Sequence, residues 1–190
     1  MMDMRISGII LATVALAGSA AIAQVKQEQP TSALKGHNTN APVDVSSERI
    51  EVQERADRAV FTGNVHVTQG DMTLDTPRLT VAYANGAGSQ SVQIKRLDAA
   101  GGVVVRDPSE TAKGDFGVYD LDRKLITLIG NVQLTRENNQ VNGARLVIDL
   151  NSGRAVVDEG PPGVNSTGGR VTGHFTVPQQ QPSQPQQKQK

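Results

Sequence analysis

The chain is 190 residues long, with 19 basic and 19 acidic side chains, no Cys, no Trp and only 3% aromatic residues. Balanced charge argues against a general nucleic-acid binder, which needs a basic excess to meet phosphates. Without Cys there is no disulfide framework, thiolate chemistry or Cys-ligated zinc, and so few aromatics leave no stacking platform for sugars or single-stranded bases.

The first 23 residues read as an export signal. Met1–Arg5 is a short polar start containing Arg5, Ile6–Ala17 is an apolar core, and Ala21-Ile22-Ala23 offers small residues for cleavage between Ala23 and Gln24. The competing reading keeps Ile6–Ala23 as a membrane anchor, although 18 residues rich in Ala, Gly and Ser are marginal for spanning. Removal would leave the charge balance intact, since it takes Arg5 and Asp3 together. Gln24–Ala41 is polar, lacks periodicity and reads as a flexible lead-in. The folded domain is expected at 42–177, a single domain at this length.

Within it, short apolar/polar alternations succeed one another. Val43/Val45, Ile50/Val52, Phe61/Val65/Val67, Met72/Leu74, Leu79/Val81/Tyr83, Val92/Ile94 and Val103/Val105 form the first part. Phe116/Val118, Leu128/Val132/Leu134, Val141, Leu146/Ile148/Leu150 and Val156 form the second. A period of two is the signature of a half-buried strand. Turn residues punctuate the runs at Gln69-Gly70-Asp71, Asn85-Gly86, Gly101-Gly102, Asn138-Asn139 and Asn151-Ser152-Gly153. Pro178–Lys190, with seven Gln and three Pro in 13 residues, cannot bury a core and reads as a disordered tail. The predicted class is all-β and antiparallel, with no significant helix beyond the signal.

One block is written twice. Phe61-Thr-Gly-Asn-Val-His-Val-Thr68 returns 67 positions later as Leu128-Ile-Gly-Asn-Val-Gln-Leu-Thr135, and Arg78-Leu79 meets Arg145-Leu146 at the same offset. Over Ala59–Val81 against Ile126–Ile148, six of 23 positions are identical and four more stay apolar, so the repeated object is strand, turn, strand. Gly63 and Gly130 stand at the core-facing parity inside their runs, and Gly101 precedes Val103 and Val105 in the same way. A Gly inside an alternating run marks a bulge or a bend. Three bends predict a long ribbon folded into a V-shaped sheet with its apolar face inside.

Pro42-Val-Asp-Val-Ser-Ser47, Phe61-Thr-Gly-Asn-Val-His-Val-Thr-Gln-Gly70 and Leu128-Ile-Gly-Asn-Val132 resemble the LptA/OstA-type family of periplasmic lipopolysaccharide-transport bridge proteins. The match covers 42–158. Val164–Val177, rich in Gly, departs from the pattern and leaves the C-terminal edge strand unassigned. The resemblance implies a β-jellyroll open at both ends, located in the periplasm, and no enzymatic activity or cofactor. It also implies partners: the acyl chains of lipopolysaccharide, further copies stacked head to tail, and jellyroll domains of inner- and outer-membrane transport components. Matched onto this sequence, it assigns lipid contact to Val43, Val45, Phe61, Val65, Val67, Leu74, Leu79, Val81, Leu128, Val132, Leu134, Leu146 and Ile148. Val103 and Val105 join them by parity.

Apolar residues at strand parity are also simply what a core is made of. With mainly Val, Leu and Ile and three Phe, the faces are expected to leave the wedge partly unfilled, with lipid methylenes supplying the missing volume. Candidate chemistry is thin. His37, His66 and His174 lack metal-ligand spacing, and the pairs Asp71/Asp75 and Asp120/Asp122 read as turn residues. Arg49, Arg78, Lys95, Arg96 and Arg145 read either as lipid-phosphate contacts or as solvated surface charge. Alternative functions are a membrane-anchored jellyroll partner of the same transport system and a secreted structural β-repeat protein. A solenoid would need a regular period over several coils, whereas the Gly spacings, 38 and then 29, are irregular.

Overall fold

The computed structural model of the chain describes Leu34 and residues 37–85, 92–161 and 170–177. The expected signal segment with its expected Ala23/Gln24 junction, the Gly86 turn and the Gln/Pro-rich tail lie outside the described residues. Ten strands form one antiparallel sheet: β1 (Asp44–Ser46), β2 (Arg49–Gln53), β3 (Arg58–Gln69), β4 (Met72–Asn85), β5 (Val92–Arg106), β6 (Glu110–Asp120), β7 (Leu125–Arg136), β8 (Asn139–Asp149), β9 (Arg154–Asp158) and β10 (Thr172–His174). A 3-10 turn, Glu54–Ala56, links β2 to β3. The strands follow chain order across the sheet. At each margin two short strands share one neighbour: β1 and β2 both pair with β3, and β9 and β10 both pair with β8.

A line of bulges crosses the sheet and explains these divided margins. In β3 the pair Gly63-Asn64 stands against the single Pro77 of β4, because Thr62 faces Arg78 while Val65 faces Thr76. Gly101-Gly102 of β5 stands against Asp115 of β6, and Gly130-Asn131 of β7 against Ala144 of β8. All six bulge residues of β3, β5 and β7 have positive φ, between 43° and 97°. That left-handed region is open to Gly and tolerated by Asn, which is why these two residue types recur there. Each bulge bends its strand and strengthens the local twist. Aligned across six strands, they crease the sheet into two halves.

The repeat at offset 67 is therefore β3–β4 written again as β7–β8, with Gly63-Asn64 matching Gly130-Asn131 and Pro77 matching Ala144. By sequence count Gly63 and Gly130 share the core parity, but their backbone turns the absent side chain elsewhere. A Cβ at Gly63 would collide with the Glu48 carboxylate, and one at Gly130 with that of Asp115. The same acids accept hydrogen bonds from the neighbouring amides, Asn64 Nδ2 to Glu48 and Asn131 Nδ2 to Asp115 at 2.9 Å. At Gly101 the neighbour is the Pro77 ring.

Two-for-one bulges also set the parity. Strands β3, β5 and β7 carry two unpaired residues and keep one parity inward on both sides of the crease, odd in β3 and β5 and even in β7. Strands β4, β6 and β8 carry one and change over. In β4, Met72 and Leu74 point inward before Pro77, and Leu79 and Val81 after it. The changeover corrects one sequence expectation. Phe116 and Val118, grouped as an inward pair, follow the Asp115 bulge and lie on the outer face, Phe116 55% exposed, while Gly117 and Tyr119 point inward.

Outer turns are tied by Asp side chains: Asp107 accepts from the Ser109 and Glu110 amides, Asp120 from Arg123, and Asp149 from Asn151 and Ser152. Replacing Gly130 by Ala should cost about 1–3 kcal/mol in urea unfolding, from backbone strain together with the clash on Asp115. Gly102→Ala, where nothing lies within 4 Å of the new Cβ, should show the strain alone and cost less. Equal losses at both sites would show that the crease does not depend on the Asp115 contact.

Candidate functional site

The inner face is ruled by rows of side chains that run strand to strand without a break. One row passes through Ile50, Phe61, Leu79, Ala99, Gly117, Leu128, Leu146 and Val157, each paired with the next across the ladder. On the other half a matching row runs from Val45 through Val67, Leu74, Val105, Ala112, Leu134 and Val141. All fifteen apolar positions singled out from the sequence fall within one hydrophobic cluster. Val65, Val67, Leu74, Leu79, Val81, Val103, Val105, Leu128, Val132, Leu146 and Ile148 are buried, while Val43, Val45, Phe61 and Leu134 sit half-buried at its border.

Among the described residues, however, the wedge is closely packed. The expectation of unfilled space is corrected by the small residues the rows contain. A Cβ at Gly117 on one half would stand 3.1 Å from Val103 on the other, and one at Gly114 would stand 3.1 Å from Leu128. Gly and Ala at these positions let the two faces close until their Val and Leu side chains interdigitate. Among the described residues, the wedge holds a cavity of about 10 Å³ lined by Val43, Val67, Gln69, Met72, Leu74, Leu97 and Tyr119, room for about one water. The margins are different. Inward-facing Ile50 is 55% exposed at the β2 edge, and Phe175 is 66% exposed beside β10. Both ends of the apolar face therefore reach solvent.

Opposite the crease, the mouth of the wedge is closed by residues that sequence reasoning missed. Gln69, the last residue of β3, is buried and fully used as a hydrogen-bonding hub. Its Nε2 donates to the carbonyls of Thr39 and Ala41, both at 3.1 Å. Its Oε1 accepts from the Tyr119 hydroxyl across the mouth at 2.9 Å and lies 3.1 Å from His37 Nε2. Leu34 is 2% exposed within the hydrophobic cluster, and its amide donates to Glu110 Oε1 at 2.7 Å. The polar lead-in thus packs on the domain at Leu34 and residues 37–41. The signal available was the Thr68-Gln69-Gly70 run, where a polar residue occupies an inward parity.

Charge lies on the outer face. Asp75 binds His66 Nδ1 at 2.6 Å and also Arg106. Burial pushes its pKa up, but these hydrogen bonds outweigh burial and hold it below the usual carboxylate value. Arg145 meets Asp158 through two nitrogens, at 2.6 Å and 3.0 Å, and Lys95, Arg96 and Arg49 pair with Asp122, Asp98 and Glu51. Among the described residues, no group of three His, Asp or Glu is placed to hold a metal.

Glu110 is the buried carboxyl of the mouth. Burial raises its pKa above the ordinary 4.5, with Asp107 adding to the rise and the Leu34 amide and Arg136 opposing it. The folded state therefore binds its proton more tightly than the unfolded chain. Between pH 4.5 and the raised value, that group's contribution makes stability fall as pH rises. Glu110→Gln keeps an acceptor for Leu34 and removes the titration. Urea midpoints should move in favour of the variant as pH climbs through this window, and a pH-independent difference would refute the assignment.

Over residues 44–154 the sequence matches the family described as LptA/(LptD N-terminal domain) LPS transport protein. A protein of Rhizobium meliloti (strain 1021), described as uncharacterized, is 32% identical over 174 residues, covering 88% of this chain and 89% of that one. The lipopolysaccharide export system protein LptA of Escherichia coli (strain K12) is 24% identical over 119 residues, covering 62% of this chain and 64% of LptA. The fold is similar to the crystal structure of LptH, the LptA homologous periplasmic component of the lipopolysaccharide transport device of Pseudomonas aeruginosa, with TM-score 0.65 and 18% identity over 74% of this chain and 99% of that one. A creased, open antiparallel sheet and a match across most of its strands lead to one assignment: the chain belongs to the LptA/LptD N-terminal-domain family of lipopolysaccharide transport proteins.

Proposed function

We propose that this protein is a periplasmic carrier that holds the acyl chains of lipopolysaccharide between the two halves of its sheet. It passes them along the apolar face to further copies and to jellyroll partners at the inner and outer membranes. The observation that carries this reading is the unbroken apolar row from Ile50, exposed at one margin, to Val157, partly buried at the other.

The chemistry is non-covalent. Lipid entry exchanges side-chain contacts between the halves for contacts with methylenes, each contributing about 0.8 kcal/mol on burial. Because the wedge is already closely packed, the halves must part about the crease to admit a chain. Aliphatic rows without polar interruption give successive positions similar affinity, which a moving lipid needs.

The margins supply the assembly surface. Among the described residues each is an edge without a further partner strand, divided by the crease into two short strands, β1 and β2 on one side and β9 and β10 on the other. A copy adding its β1/β2 edge to a neighbour's β9/β10 edge would extend the ladder and cover the exposed inward residues Ile50 and Val52. Such head-to-tail contacts are heterologous and propagate as open filaments.

Photo-crosslinking residues placed at Val43 or Phe61 should capture lipopolysaccharide in cells, whereas outward neighbours Asp44 and Thr62 should not. Equal capture from both faces would sink the carrier reading. In sedimentation experiments the average mass should grow with protein concentration, and Val52→Asp should reduce that growth. A strict monomer at every concentration would remove the filament from the proposal.

A further inference from the structure

We propose that Leu34 and residues 37–42 form a displaceable strap that occupies the acyl-chain site of the unloaded protein, so that strap docking and lipid binding exclude one another. The inference rests on reading the wedge as that site, and adds a device controlling access to it.

The strap is held in a way that favours release. Among the described residues, 37–42 make no ladder pairing, and their backbone bonds are local: His37 N to Leu34 O, Thr39 N to His37 O, and Ala41 N to Asn38 O. Attachment to the domain is confined to a few points. Leu34 places one aliphatic side chain in the cluster that would otherwise receive lipid. Its amide meets the buried Glu110 carboxylate, and Gln69 grips the carbonyls of Thr39 and Ala41. Gln69 also receives the Tyr119 hydroxyl from the opposite half, so one amide clamps both the strap and the mouth.

Location decides the consequence. The strap runs directly into Val43, which lines the residual cavity together with Gln69, Met72 and Tyr119. Lifting it frees the end of the wedge farthest from the crease, where the halves part most readily. A single Leu side chain is a short stand-in for a fatty chain. It can keep the mouth dry while the protein is empty and yield to a longer aliphatic competitor.

Because the chain contains no Cys, Leu34→Cys provides a unique reporter. In the lipid-free protein its reaction with a soluble thiol reagent should run at least about tenfold slower than that of an exposed control, Asp44→Cys. Saturating lipopolysaccharide should restore most of the lost rate. Binding is measured in parallel by co-elution of labelled lipopolysaccharide. If the lipid co-elutes and the Leu34→Cys rate stays slow, the strap is not displaced and the inference fails while the carrier reading stands. If nothing co-elutes, the carrier reading itself fails. A fast rate without lipid would show that the strap never closes. Leu34→Ala gives an independent measure. Weakening the competitor should tighten lipopolysaccharide binding by about tenfold, and unchanged or weaker binding by the folded variant would overturn the proposal.

Discussion

The architecture depends on one backbone constraint, two consecutive left-handed residues inserted into every second strand. Gly63-Asn64, Gly101-Gly102 and Gly130-Asn131 each force a two-for-one mismatch with the neighbouring strand. Because the mismatches fall in line, their bends add instead of cancelling. A flat ten-strand antiparallel sheet would leave one apolar face in water. Creased, the same sheet lays that face against itself, and the hydrophobic effect holds it shut. Local stereochemistry thus decides where the sheet folds, and apolar burial decides that it stays folded.

The crease also accounts for what sits at each margin. The chain breaks its edge strands where the bulges fall, so β1 and β2 flank the crease at one end and β9 and β10 at the other. Two short edges are a poorer template for indiscriminate pairing than one long one. A partner must carry the same crease at the same place to use both. In the proposed head-to-tail assembly, the geometry that builds the fold would restrict growth to copies and relatives of similar shape.

Polar groups are segregated in keeping with this design. Outside, carboxylates and cations neutralise one another in pairs such as Arg145–Asp158 and Lys95–Asp122, and contribute little to stability individually. Inside, buried polar side chains gather at the mouth, where Gln69, Tyr119 and Glu110 meet the segment around Leu34, while Thr76 beside the crease is satisfied by the Arg78 and Ala100 carbonyls. Buried polar groups are costly unless satisfied, so the mouth favours a closed, fully bonded arrangement. The rows behind it carry no such polar ties.

The amino-acid sequence by itself determined the strand content, the repeated strand pair and the Gly positions of the crease, because period-two alternation and left-handed turns leave local marks. It also marked Val65 and Leu128 as inward, since their strands keep a constant parity through the crease. Phe116 and Val118 were misread because one extra residue at Asp115 changes which side faces in, and an insertion of one is invisible until the partner strand is known. Whether the wedge is closely packed or empty, and that Leu34 reaches Glu110 some 76 positions away, only the tertiary structure decided. Both depend on how closely two faces approach in space, and that distance is set jointly by side chains remote from one another in the chain.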